Sequence, residues 1–123
     1  MILNHVSIGV SDVTASIRFY DNVLKTLGIK RSHMIENVAA AYGEGFEFWI
    51  GCPCENRSSA GNGTHIAFNA ATQQAVIDFH AEAIALGAIC EGKPGKRPEY
   101  GEGYYAAFIR DRDGNKLEAV FIG

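Results

Sequence analysis

Two stretches of this chain, sixty residues apart, carry the same pattern. Residues 5–28 read HVSIGVSDVTASIRFYDNVLKTLG and residues 65–87 read HIAFNAATQQAVIDFHAEAIALG. His5 aligns with His65, Ile8 with Phe68, Ala15 with Ala75, Ile17 with Ile77 and Phe19 with Phe79, all at an offset of 60. The halves also end alike, FEFWIG at 46–51 against LEAVFIG at 117–123, which sets Glu47 opposite Glu118. A two-fold duplication of about sixty residues is therefore expected, and repeats of this kind bury their apolar faces against each other.

Each half reads as strand, helix and three strands. Leu3 to Val10 and Thr64 to Ala70 alternate in character as half-buried strands do. Ser11 is expected to cap the first helix, with Val13, Ile17, Tyr20, Leu24 and Leu27 at helical spacing. Thr72 is expected to cap the second, whose buried stripe includes Val76, Phe79, Ala83 and Leu86; Gly28 and Gly87 suit the residue just past each helix. The remaining strands are expected at about 30–35, 38–42 and 45–51, and at about 88–91, 104–110 and 116–122. The fold class is then α+β: two βαβββ modules, about 1–52 and about 64–123, forming a curved mixed sheet with helices on its outer face. The whole chain, 1–123, makes one domain.

Residues 52–63 (CPCENRSSAGNG) and 91–103 (EGKPGKRPEYGEG) are expected as loops, rich in glycine and proline. Three cysteines, Cys52, Cys54 and Cys90, read as reduced thiols with structural or neutral roles, and Cys52-Pro53-Cys54 lacks the second pair of a zinc ribbon. With 47% hydrophobic and 20% charged residues the composition is too apolar for a disordered chain. No apolar run approaches the ~20 residues that span a bilayer, and the start has no export signal, so a cytoplasmic protein without a membrane partner is expected. A net charge of -3 opposes nucleic-acid binding.

Side chains alternate across a strand, so parity sorts the polar residues. Val6, Ile8 and Val10 share one face, and His5 and Ser7 the other. Ile66 and Phe68 oppose His65, Ala67 and Asn69; Phe46, Phe48 and Ile50 oppose Glu47 and Trp49; Leu117, Ala119 and Phe121 oppose Glu118 and Val120. His5, Glu47, His65 and Glu118 thus fall on the face away from the helices. Two imidazoles and two carboxylates suit a first-row divalent ion, with Ni, Zn, Co, Mn and Fe indistinguishable by residue type. The other reading, strand-end histidines and exposed glutamates with no metal, stays open.

These segments resemble the vicinal oxygen chelate superfamily, also called the glyoxalase, bleomycin-resistance and dioxygenase superfamily. The resemblance covers nearly the whole chain, from NHVSIGVSDVTASIRFY through GFEFWIG and GTHIAF to YYAAFIRDRDGNKLEAV. The final piece, an aromatic strand followed by D-x-D-G-x-x-x-E, is its most diagnostic part. By that resemblance His5, His65 and Glu118 stand at metal-ligand positions, with Glu47 near the fourth ligand of lactoylglutathione lyases. The family turn is usually Asp-Pro-Asp-Gly, whereas here Arg112 replaces the proline. The resemblance also implies a homodimer, often with each site drawing ligands from both subunits.

Around this face, Arg97, Tyr100 and Tyr105 are expected to bind substrate, with Lys93 and Lys96 nearby. A cation and tyrosine hydroxyls can orient a carboxylate or phosphate by charge-assisted hydrogen bonds. Trp49 and Asn69 are further candidate substrate contacts, while His33 and His80 read as surface or packing residues. Tyr104 and Tyr105 have opposite parity, so at most one lines the site.

The resemblance implies a metal-dependent glyoxalase-type lyase or isomerase. It would act on a small oxygen-bearing substrate, possibly with a thiol such as glutathione, through an enediolate-like intermediate, with Glu118 or Glu47 shuttling a proton. The alternatives are a metal-free drug- or ligand-binding protein of the bleomycin-resistance type, or a thiol transferase.

Overall fold

Alternating strands and amphipathic helices give the chain order β1 (Val6–Gly9), α1 (Val13–Lys25), β2 (Arg31–Ile35), β3 (Ala39–Tyr42) and β4 (Phe48–Gly51), then β5 (His65–Asn69), α2 (Gln73–Ala85), β6 (Ile89–Lys96), β7 (Tyr104–Arg110) and β8 (Lys116–Ile122). This is a computed structural model that describes residues 2–53 and 57–123. Cys54, and with it the C-x-C pair, lies outside the described residues. Both halves are βαβββ modules, as the duplication requires. Their strands form two four-stranded mixed sheets, ordered β1-β4-β3-β2 and β5-β8-β7-β6. In each, the first strand runs parallel to the last and the other neighbours are antiparallel.

The helices form where expected, with one change of cap. Asp12, not Ser11, is the N-cap of α1: its carboxylate accepts from Ala15 N at 3.0 Å. Ser11 instead donates its backbone N–H to Asp113 Oδ1 at 3.1 Å, which ties the start of α1 to the β7–β8 turn. Thr72 caps α2 through Ala75 N at 3.0 Å. Gly28 and Gly87 follow the two helices at φ +75° and +98°, a region in which a Cβ is strained.

The segment at 91–103 departs from expectation. β6 runs on through Pro94 to Lys96, so only the stretch from Arg97 to Gly103 leaves the sheet, through one 3-10 turn at Pro98–Tyr100. Register shifts between Cys90 and Gly92 and between Gly92 and Gly95 absorb the glycines and the proline. β6 is an edge strand, where a missing N–H is tolerated.

Both helices cover one face of their sheets, and their apolar stripes merge into one core. α1 buries Val13, Phe19, Tyr20, Val23 and Leu24, and α2 buries Val76, Phe79 and Ala83. Phe48 of the first module meets Phe68 of the second edge to face, with ring centres 5.0 Å apart. A second, smaller cluster of Ala106, Phe108 and Val120, with Tyr104 against it, lies on the other face of the second sheet. That face carries the candidate site residues His65 and Glu118.

Candidate functional site

Strand pairing decides which residues of the second module stand together. In the parallel β5–β8 ladder His65 is opposite Lys116 and Ala67 opposite Glu118. In the antiparallel β7–β8 ladder Phe108 is opposite Glu118 and Tyr104 opposite Ile122. His65, Glu118, Phe108 and Tyr104 therefore share the face away from α2. His65 Nε2 lies 3.0 Å from Glu118 Oε1, and the Tyr104 hydroxyl donates to Glu118 Oε2. Glu118 is only 2% exposed, so both oxygens need these partners. Burial first, then the hydrogen bond to Glu118 and its charge, push the Tyr104 hydroxyl up to about 12. It stays a proton donor at neutral pH.

Two cations lie over the Phe108 ring of the same face. The Lys116 ammonium lies 5.3 Å and the Arg97 guanidinium 5.6 Å from the centre of the Phe108 ring. Arg97 is held by donating to Lys93 O at 2.7 Å and Lys96 O at 3.3 Å. A Cβ at Gly92 would come within 3.2 Å of its Nη2, so the glycine leaves room for the guanidinium. Among the described residues neither cation forms an ion pair. Tyr100 is exposed and sets its ring edge-on to Tyr104, with centres 5.4 Å apart.

Tyr105 is a correction. It packs against the core on the helix side, opposite Phe121, and Tyr104 takes the open face. Alternation along β7 allows only one of the two there, and pairing with β8 fixes which.

The first module differs at the matching positions. His5 precedes β1, exposed, with Nδ1 2.7 Å from Asn4 Oδ1 and its ring edge-on to Phe46. Ser7 pairs with Trp49 as Ala67 pairs with Glu118. The residue equivalent to Glu118 is thus Trp49, and the expected match of Glu47 with Glu118 is corrected. β4 begins only at Phe48, and Glu47 folds back so that Oε1 accepts from Gly45 N at 2.8 Å. The bend at 43–47 also carries Phe46 to the open face, against His5, His33 and Trp49. His33 stacks on Trp49 at 6.1 Å and 25°.

His5, Glu47, His65 and Asn69 all line one cleft of about 860 Å³ between the start of β1 and β5. They share its walls without forming a ligand cluster: among the described residues no three His, Cys, Asp or Glu side chains come close enough to hold an ion. One chain thus offers two adjacent donors, the His65 imidazole and the Glu118 carboxylate. Their chemistry fits two positions of a divalent ion's shell, and further ligands must come from outside this group.

Fold and site together define a protein of paired βαβββ modules with a His–Glu pair on an open sheet face. The profile of the Glyoxalase/Bleomycin resistance protein/Dioxygenase superfamily matches residues 2–119, and the chain belongs to that superfamily. A glyoxalase/bleomycin resistance protein from Albidiferax ferrireducens T118 is 35% identical, with a TM-score of 0.89 over 98% of this chain and 99% of that one. A lactoylglutathione lyase from Agrobacterium tumefaciens shares the fold at 20% identity, with a TM-score of 0.67 over 98% of this chain and 92% of that one. So does a glyoxalase/bleomycin resistance protein/dioxygenase family enzyme from Burkholderia phytofirmans PsJN, at 19% identity and a TM-score of 0.72 over 97% of both chains. No curated protein matches the sequence. Among the described residues no helix is long and apolar enough to cross a membrane.

Proposed function

We propose that this chain, one domain of two modules, is a metal-dependent lyase or isomerase of the glyoxalase type. It acts in the cytoplasm as a homodimer on a small, anionic, oxygen-bearing substrate. The observation that carries this reading is the His65–Glu118 pair, a nitrogen and a buried carboxylate oxygen 3.0 Å apart on an open sheet face. His65 and Glu118 would hold the ion, with His5 of a second copy as a further ligand. When bound, such an ion would polarise a carbonyl oxygen of the substrate.

The remaining work falls to this chain. Glu118, as a ligand carboxylate that detaches, serves as the base that carries a proton between adjacent carbons, which fits isomerisation through an enediolate-like intermediate. Tyr104 fixes its carboxylate by donating to Oε2. Arg97 and Lys116, cations without acidic partners among the described residues, orient the anionic end. Glutathione adducts of small dicarbonyls belong to this substrate class.

Metal content of protein purified without chelator tests the reading. Near-stoichiometric ion is expected, with loss of binding in His65→Ala and turnover of methylglyoxal plus glutathione with one of Ni, Co, Zn, Mn or Fe. Substoichiometric metal that His65→Ala leaves unchanged overturns it. A second reading, a metal-free ligand-binding protein, is favoured by Trp49 standing at the position equivalent to Glu118. It expects saturable ligand binding that chelators do not alter.

A further inference from the structure

Away from the His65–Glu118 face, one thiol stands beside a base. Cys90 lies on the edge strand β6 opposite Ile109, a core residue on the α2 side of the sheet. It is exposed, and its Sγ is 3.2 Å from Nε2 of His80, a half-buried residue of α2. Burial, then the charge of Lys93, lowers the His80 pKa from 6.5, which keeps the ring neutral at pH 7 with a ring nitrogen beside the thiol. The neighbouring carboxylate, Glu91, is held by Arg110, which offsets a negative charge that would oppose thiolate formation. Cys52 lacks this setting: its thiol is 3.3 Å from a carbonyl oxygen, that of Asn37.

We propose that Cys90 is a nucleophilic thiol activated by His80, and a site of mixed-disulfide formation with small disulfides of the oxidised-glutathione type. The Cys90 proton passes to His80 Nε2 and the sulfur attacks one sulfur of the disulfide. A protein–S–S–R bond forms as the R–S–S–R bond breaks, and the departing thiolate takes the proton from the imidazolium. Cys90 is oxidised and one half of the disulfide is reduced, so a protein thiol and a disulfide become a mixed disulfide and a small thiol. The adduct forms at the edge of the sheet, on the face opposite His65 and Glu118.

The test is to incubate the reduced, full-length protein with oxidised glutathione at pH 7.5 and follow each cysteine by peptide mass mapping. Cys90 is expected to acquire the glutathionyl group about tenfold faster than Cys52. The substitution His80→Gln is expected to bring Cys90 down to the Cys52 rate, with folding checked by circular dichroism. If that variant does not fold, His80→Asn provides a second arm, again expected to bring Cys90 down to the Cys52 rate while Cys52 is unchanged. Equal rates at Cys90 and Cys52 in the unaltered protein overturn the proposal, as does a folded His80→Gln variant in which Cys90 reacts at full speed. Because the readout is thiol labelling, it does not depend on metal or turnover.

Discussion

At the scale of single residues, Glu118 concentrates the consequences. Its carboxylate is buried on an otherwise open face and is satisfied by His65 and Tyr104. Tyr104→Phe removes the donor to Oε2 and is expected to destabilise the protein by about 1–3 kcal/mol, the usual cost of depriving a buried charged acceptor of its partner. Tyr105→Phe, on the core side, is expected to stay within about 0.5 kcal/mol. Urea midpoints at pH 7 separate the two, and equal losses would contradict the assignment of faces. His65 and Glu118 were legible because alternation in two short, strongly patterned strands leaves them only one face. Tyr104 was not, because neighbouring tyrosines give parity nothing to choose between until β8 pins the register. Glu47 misled for another reason: Phe-Glu-Phe imitates Leu-Glu-Ala as a string, but glycines at 43 and 45 bend the chain before β4 starts.

Elements were read more securely than their ends. Helical spacing located α1 and α2, yet Ser11 and Asp12 are both good caps, and only the turn at Asp113 decides between them. Asp12→Ala is expected to cost about 0.5–2 kcal/mol through the lost bond to Ala15 N. Ser11→Ala keeps its N–H bond to Asp113 and is expected to cost less. Chemical denaturation of the two variants measures the difference, and a larger loss for Ser11→Ala would restore it as the cap. The first residues of β6 fall in the strand expected at about 88–91, whereas its continuation to Lys96 is hidden because Gly92, Pro94 and Gly95 weaken every strand signal. Its two register shifts let Gly92 and Gly95 pair with β7 and bring Arg97 back over Phe108.

At the scale of the whole molecule, the repeat announced two modules but not how they lock together, since the lock joins residues about ninety positions apart. Asp111, 4% exposed, accepts from the Tyr20 hydroxyl at 2.6 Å and from Asn115, whose side chain also donates to Gly9 O. Burial, then the charge of Asp111, raises the Tyr20 pKa well above 10.0. A raised folded value means that this contribution is fully present below pH 10 and is lost as pH rises through the higher folded value. Stability is therefore expected to fall above about pH 10, less steeply in Tyr20→Phe, as denaturant midpoints between pH 8 and 11 would record. The same scale governs the site. Among the described residues one chain brings together two donors, while His5 remains apart beside exposed Phe46 and His33 and half-buried Trp49. If a second copy supplies His5 to the His65–Glu118 pair, two defective homodimers can repair each other. Mixing His5→Ala with His65→Ala and allowing subunits to exchange leaves half the dimers mixed, each with one intact site. Tight metal binding is then expected to return to about a quarter of the unaltered level. No recovery despite exchange, followed by mass spectrometry of the mixed dimer, would place all ligands of a site within one chain.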